Sequence, residues 1–462
     1  MDLKVDSVLN RLPSNCWRNI LDLLPVRDLI SVSRTSVELN ASAEPLLYRS
    51  ISWEWDNVPI RRILQLLRAA WQRPERLLYV RHVSWLSSDQ MGEWTVSELN
   101  ADWSQEKADY TDVIQRAQAI VDKAEFPDAS KWHQALADGD AYAFATILLS
   151  QMHNLQSLRL DYTFVWRSGY PGLMLKHALF SAPEGLLSKF NDPETVDYGT
   201  NVPEGEYISH FSQIDKTDGY PSCDPNQFMT WFRLPSVKSL GLWTQSLQEV
   251  VPAPQPLHLD RLHILVLTRS TIKEKEIPGL LSQTPNLRTL HLGLAHLWGK
   301  SCPLRNGAAV LQGLHSVSRT IEVLSFYFEY YLASRGEYYF DEDDAKLREP
   351  FRHFLLQVPR LRSVEVPITM LLGTDPATAV DIRTVLPSTV QQLCLQWDFS
   401  GQIVIRVWDL EEEDYLQEEA DLKETCKQAG IDLTVVSDEL SPGLWTQFLL
   451  GISRTAFPRN AP

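Results

Sequence analysis

The chain has 462 residues, 44% of them hydrophobic, and a formal net charge of -16 at pH 7. The chain lacks the surplus of Lys and Arg that contacts with phosphate groups need, and this argues against nucleic acid as the main partner. No apolar run reaches the roughly 18 residues that span a bilayer, and the start, MDLKVDSVLNRL, has no signal-peptide core. We therefore expect an intracellular protein, cytoplasmic or nuclear, with no membrane contact.

The first fifty residues predict three short helices. The first runs between Pro13 and Pro25, Asp28 is predicted to cap the second, and Pro45 to close a third over residues 36–44. The first two carry apolar residues at helical spacing: Trp17, Ile20, Leu21 and Leu24, then Leu29, Ile30 and Val32. Three helices this short make a poor independent core, so we expect a partner or a neighbouring domain to cover them.

The segment from Leu12 to Ile51 resembles the F-box of fungal F-box proteins. The matching parts are Leu12-Pro13, Ile20-Leu21, Asp28-Leu29, Val32-Ser33-Arg34 and residues 47–51, while Asn15 stands where the family usually has Glu. The resemblance implies docking on a Skp-type adaptor and, through it, on a cullin. The residues expected to bind the adaptor are Leu12, Pro13, Trp17, Ile20, Leu21, Leu24, Leu29 and Val32.

A repeat organises most of the remaining chain. Residues 148–160, LLSQMHNLQSLRL, are echoed by residues 280–292, LLSQTPNLRTLHL, and by a shorter copy at residues 355–366. Each copy predicts the end of a helix, a turn and a strand that places alternate leucines on one face. With weaker versions, strands are predicted to begin near residues 80, 155, 237, 262, 287, 321, 361 and 390.

Some of the steps between these strands, of 25, 25 and 29 residues, have the length of leucine-rich repeats. The chain resembles the degenerate leucine-rich repeats that follow many F-boxes. The predicted class is α/β: a three-helix F-box followed by an irregular solenoid with a curved parallel sheet and outer helices.

The predicted organisation has three parts: residues 1–55, 56–440 and 441–462, which are the F-box, the solenoid and a tail. Three insertions interrupt the solenoid, at residues 86–143, 183–226 and 335–344. The first is predicted to hold helices over residues 106–124 and 130–137, and the second to be a long loop. A helix over residues 410–429 and a strand over residues 431–436 are predicted to close the solenoid.

Local motifs for chemistry are absent from the sequence. The five cysteines, Cys16, Cys223, Cys302, Cys394 and Cys426, form no C-x-x-C pair, so we expect neither disulfides nor zinc. Residues 293–301 end in Gly-Lys-Ser, but that loop is one residue too long for a phosphate loop and Pro303 follows it. We therefore expect no enzyme, no metal and no cofactor.

Alternation along the strands predicts a surface for a protein client. If the leucines face the core, the residues between them face the opposite, concave side. The expected client-binding row is Trp243, Val266, His291 and Ser325, flanked by Thr268 and Tyr327. The alternative is that insertions cover these residues as a second layer of core.

The resemblance implies a substrate receptor of a cullin-RING ubiquitin ligase, which contributes proximity rather than chemistry. An alternative is a repeat scaffold whose F-box acts outside any ligase or is structural. An enzyme with a dispersed active site is a remote third reading.

Overall fold

The computed structural model describes residues 14–55, 60–87, 103–167, 169–202, 224, 226–244, 257, 259–297, 307–331, 351–367, 370–371, 381–396 and 412–436. These residues fall into two compact units. Unit 1 holds the residues up to Leu158 together with Pro183–Phe190, and unit 2 holds Arg159–Ala182 and the residues from Asn191 onward.

Unit 1 begins with three short helices. Its elements are α1 (Ser14–Asp22), α2 (Val26–Ser33), α3 (Val37–Leu47), β1 (Ser50–Glu54), α4 (Ile60–Gln72), α5 (Glu75–Tyr79), β2 (His82–Leu86), α6 (Trp103–Asp109), α7 (Thr111–Lys123), α8 (Ala129–Asp138) and α9 (Ala141–Leu149). Its core includes Ile63, Leu64 and Leu67 of α4, one stripe at helical spacing.

Unit 2 alternates strands with short helices. Strand β3 (Ser157–Leu160) crosses the division, and unit 2 continues with α10 (Tyr162–Arg167), α11 (Tyr170–Phe180), β4 (Thr195–Tyr198), α12 (Asn226–Met229), β5 (Ser239–Leu242), β6 (Ile264–Ser270), α13 (Ile277–Leu281), β7 (Thr289–Leu297), α14 (Ala308–Val317), β8 (Val323–Tyr331), β9 (Ser363–Pro367), α15 (Ile382–Val385), β10 (Gln392–Gln396), α16 (Glu412–Gln428) and β11 (Asp432–Val436).

The strands pair in chain order, from β1 to β11. The described pairings are parallel, and helices connect several consecutive strands, which is the topology of an α/β solenoid. The predicted class, N-terminal helices followed by a parallel sheet, is confirmed. None of the helices in the described part of the chain is long and apolar enough to cross a membrane.

Most of the strands were predicted and two were missed. Strands β2, β3 and β5 to β10 correspond to the predicted repeats, and β11 to the predicted strand at residues 431–436. Strand β1 directly follows the helical segment, and β4 lies inside the region predicted to be a long loop, residues 183–226.

The repeated Asn-Leu-x-x-Leu-x-Leu motif is explained by a side-chain bond between successive turns. The Asn286 amide donates to the Asp260 carbonyl at 2.8 Å, and the Asn154 amide donates to the Leu78 carbonyl at the same distance. Each asparagine thus ties the turn before its own strand to the segment that leads into the preceding strand, α5 for Asn154 and a turn for Asn286. It provides a hydrogen-bond donor for a carbonyl of that segment.

Three helix boundaries differ from the prediction. Pro45 lies inside α3 instead of closing it, because the last turn packs Leu46 and Leu47 against the core of the helical segment. Helix α2 begins at Val26, so Asp28 lies in its first turn and does not cap it. The predicted helix over residues 106–124 is broken at Tyr110, whose ring packs under the Arg68 guanidinium at 4.2 Å.

Several predictions lie outside the described residues. These concern Leu12, Pro13, the insertion at residues 335–344 and the tail at residues 441–462.

Replacing Asn286 with Ala should lower the free energy of unfolding by about 1 kcal/mol, because the Asp260 carbonyl loses its donor. Chemical denaturation with tryptophan fluorescence measures this. The matched control is Asn19→Ala on the exposed face of α1, where Asn19 makes no side-chain hydrogen bond with a described residue. Equal effects of the two substitutions would contradict the role of the Asn286 bond.

Candidate functional site

The three N-terminal helices share a small core of their own. Leu21, Leu29 and Ala43 are buried in it, and Trp17, Leu24, Val32, Leu46 and Leu47 pack against it half-buried. Two of the predicted adaptor-binding residues, Leu21 and Leu29, therefore hold the helices together. Trp17, Leu24 and Val32 are partly accessible.

The same helices expose large apolar side chains. Among the described residues, nine large hydrophobic side chains are exposed, and five of them lie between residues 20 and 37: Ile20, Leu23, Val26, Ile30 and Val37. Val26 and Ile30 are four residues apart on α2 and share a helix face, while Leu23 lies in the turn that directly follows α1. Such clustering is typical of an interaction surface.

Sequence reasoning found Ile20 but missed Leu23 and Val37 as accessible residues, although they are 85% and 86% exposed. Their signal was available. Both are apolar, and neither belongs to the set of residues that forms the core of the three helices, such as Leu21, Leu24 and Leu29.

A groove of about 1630 Å³ adjoins this segment in unit 1. The groove is lined by the three N-terminal helices and by residues that precede the first three strands. The lining residues are Trp17, Arg18, Asp22, Val32, Thr35, Ser36, Glu38, Leu39, Ala41, Ser42, Pro45, Leu46, Arg49, Tyr79, Arg81 and Gln156. The groove exceeds the roughly 300–1,000 Å³ of small-molecule pockets. Its mixed apolar and charged lining fits a polypeptide better than a metabolite.

A buried carboxylate anchors α3 to the rest of unit 1. Glu44 accepts hydrogen bonds from both Arg73 and Arg76 at 3.0 Å, and the Arg76 guanidinium lies 5.2 Å from the centre of the Tyr48 ring. Arg49, immediately before β1, pairs with Asp22 of α1 at 3.0 Å. These contacts fix the helical segment relative to α5 and β1.

Comparison with known families identifies this segment. Residues 9–43 match the F-box domain. The chain carries an F-box. The match spans α1, α2 and more than half of α3, the helices that bear the exposed apolar side chains. No curated protein matches the chain.

The predicted client row lies in unit 2, and its side chains are buried. Val266, His291 and Ser325 are in register on neighbouring strands, but their partner on β5 is Gly241. Trp243 lies two residues further along, is 1% exposed and meets the Tyr162 ring of α10 edge to face.

The exposure expected for this row is therefore wrong for five residues: Trp243, Val266, Thr268, His291 and Ser325 are all buried. The reason is that this parallel sheet is covered on both faces, as all four residues of β3 and of β5 are buried. That these residues contact a client stays a prediction. Their burial does not favour it. The Tyr327 side chain lies outside the described residues.

The middle of the covered face forms a continuous polar row across four strands. The His291 Nδ1 atom lies 2.7 Å from Ser325 Oγ, the Ser325 hydroxyl donates to Glu365 Oε2 at 2.9 Å, and the Cys394 thiol lies 3.8 Å from Glu365 Oε1. Because Ser325 gives its only proton to Glu365, Oγ accepts from a protonated Nδ1 of His291.

Burial, followed by the nearby charge of Arg269, lowers the pKa of His291 to about 3. The imidazole is therefore neutral at physiological pH and acts as a structural donor. Gly293 makes room for it, since a Cβ there would lie 2.9 Å from His291 Nε2. Among the described residues, no group of three or more His, Cys, Asp or Glu is arranged to hold a metal.

The lowered pKa of His291 predicts that the folded protein loses stability in acid. The His291 pKa of about 3 in the folded chain lies below the ordinary 6.5, so the unfolded chain binds the proton more tightly. Its contribution to stability is complete above about pH 6.5 and is lost as the pH falls toward 3. Between pH 6.5 and 5 the loss should be about 2 kcal/mol.

The measurement is the slope of unfolding free energy against pH for the wild type and for His291→Gln. The difference in slope isolates His291 from His82 and His153, whose pKa values burial also lowers. Identical slopes would show that His291 is not buried as a neutral donor.

Proposed function

We propose that the chain is the substrate-recognition subunit of an SCF-type ubiquitin ligase. In this proposal the F-box docks on a Skp-type adaptor that is bound to a cullin, and the sheet-containing remainder holds a protein client. The chain performs no chemistry itself. It raises the effective concentration of client lysines near a ubiquitin-charged enzyme.

The observation that carries the proposal is the exposed apolar surface of the F-box. Five large hydrophobic side chains, on the three short helices and the turn after α1, face solvent in the chain alone. An isolated surface of this kind is expected to be covered by a partner, since burying each such side chain is worth on the order of 1.5 to 3 kcal/mol.

The anchoring of α3 supports the same role. A receptor must present its client at a defined position relative to the adaptor, and a loosely tethered F-box lowers the effective concentration of the client. The contacts of Glu44 with Arg73 and Arg76 hold the F-box on α5 of unit 1.

The alternative is an interaction scaffold whose F-box acts outside a ubiquitin ligase. The ligase role requires that a cullin joins the complex through the adaptor, and the scaffold role does not. Co-purification of the full chain with adaptor and cullin separates them. A complex with the adaptor that excludes the cullin would favour the scaffold.

The double substitution Ile20→Ala and Leu23→Ala should weaken binding to the Skp-type adaptor. The two substitutions forfeit on the order of 2 to 3 kcal/mol, less than twice the full value, because Ala keeps the Cβ and Ile20 is already partly buried; this is a loss of roughly 30- to 150-fold in affinity. Leu21 is left intact because it belongs to the core of the F-box. Affinity is measured by calorimetric titration of the purified full chain.

The matched control is the pair Leu78→Ala and Leu356→Ala, whose side chains are 45% and 47% exposed outside the F-box. This control should bind the adaptor within twofold of the wild type. Unchanged adaptor binding by a correctly folded Ile20 and Leu23 double variant would contradict the proposed docking surface.

A further inference from the structure

A row of exposed charges precedes the strands of unit 2. The residue before each of the strands β4 to β9 has a carbonyl that accepts two backbone N–H groups from the start of the next strand. Arg288 accepts from Glu322 and Val323 at 2.7 and 3.0 Å, and Glu322 accepts from Arg362 and Ser363 at 2.8 and 3.2 Å. These bonds fix Arg288, Glu322 and Arg362 side by side at the starts of β7, β8 and β9.

Side chains at this position reach their neighbours along the row. Lys238 before β5 pairs with Glu194 before β4 at 2.8 Å. Side chains at this position on neighbouring strands are therefore close enough to interact.

The row is basic around β7 to β9. Arg288 and Arg362 belong to it, and Arg319 and Arg360 lie in the turns that lead into β8 and β9; all four side chains are exposed. Glu322 is the one acidic residue among them, and it is half-buried. Within the part of the chain that the structure describes, none of the four arginines forms an ion pair. We call these five residues the basic rim.

The basic rim is distinctive because the whole chain carries a charge of -16. Four unpaired guanidinium groups cost the fold some self-repulsion and offer planar donors that match carboxylates and phosphates. The general acidity of the chain disfavours a nucleic-acid backbone, which would approach the surrounding negative surface as well.

The spacing along the rim selects the conformation of the ligand. Neighbouring strands lie roughly 4.8 Å apart, so the backbones of Arg288 and Arg362 are about 10 Å apart. In a polyproline II segment, residues i and i+3 lie on one side about 9 Å apart. A β-strand places i and i+3 on opposite faces, so it fits less well.

We propose that the basic rim binds a client segment in the polyproline II conformation with anionic side chains at positions i and i+3. Arg288 and Arg362 bind the two anionic groups, and Arg319 and Arg360 flank them. Glu322, between the two strands, disfavours a third anionic group in the middle of the segment. The inference rests on the proposed function only in taking a protein client as the source of the ligand.

The test is fluorescence anisotropy of the full chain with labelled peptides. One peptide contains Asp-Pro-Pro-Asp, a second has phosphoserine at both acidic positions, and a third has Asn there. The first two should bind and the third should not, and binding should weaken at high salt. Tighter binding of the second peptide assigns the ligand to phosphorylated clients, and equal binding assigns it to acidic ones.

The double substitution Arg288→Glu and Arg362→Glu should weaken peptide binding by about tenfold, since two attractive contacts become repulsive. The control is Lys275→Glu with Lys427→Glu, which makes the same change in net charge at exposed sites outside the rim. Glu322→Gln should strengthen, by roughly twofold to threefold, the binding of a peptide with a third acidic residue in the middle.

Three results would overturn the proposal: no binding of either anionic peptide by the wild type, equal weakening in the control, or stronger binding of a single-stranded oligonucleotide than of the peptides. If the double variant melts at a lower temperature, Arg288→Gln and Arg362→Gln are used singly, with an expected loss of about threefold each. Adaptor binding is measured in parallel. Intact adaptor binding without peptide binding refutes the rim alone, and peptide binding without adaptor binding refutes the ligase role alone.

Discussion

A double hydrogen bond that recurs at the starts of most strands sets the register within both units. It recurs at eight carbonyls in the described chain, those of Arg49, Arg81, Glu194, Lys238, His263, Arg288, Glu322 and Arg362. Because each carbonyl accepts both N–H groups of the following turn, successive strands begin at the same level. Within unit 2, that common level stacks the leucines of neighbouring strands together and aligns the residues before β7 to β9.

The leucine pattern was enough to predict most strands, because side chains of period two on short segments identify a buried face. It failed at β1 and β4, whose sequences SISWE and TVDY contain no leucine, and which are held largely by parallel pairing with neighbours. Pro45 was misread for a related reason. A local rule predicted the end of a helix, and the packing of Leu46 and Leu47 outweighed it.

Alternation also suggested that the polar residues between the leucines were exposed. Their identities, with His291, Ser325 and Glu365 in one row, are those of a surface, yet the structure buries them as a hydrogen-bonded network. Period two separates the two faces of a strand, but it carries no information on which later segment covers a face. In unit 2, side chains that directly precede strands, such as Arg288 and Arg362, are exposed.

In the F-box, the residues that form the core and the residues that face solvent are different members of the same helical segment. Leu21 and Leu29 hold α1 and α2 together, while Ile20, Leu23, Val26 and Ile30 face outward. The family match identifies the segment, and the exposure of these side chains indicates which ones remain available to a partner. The ion pairs of Glu44 connect the helical segment that carries these side chains to the rest of unit 1.

The most direct measurement is amide hydrogen exchange of the full chain with and without a Skp-type adaptor. Adaptor binding should slow exchange in residues 14–37, which contain the exposed apolar side chains, and leave β7 to β9 unchanged. Slowed exchange in the sheet without any change in the F-box helices would contradict the account.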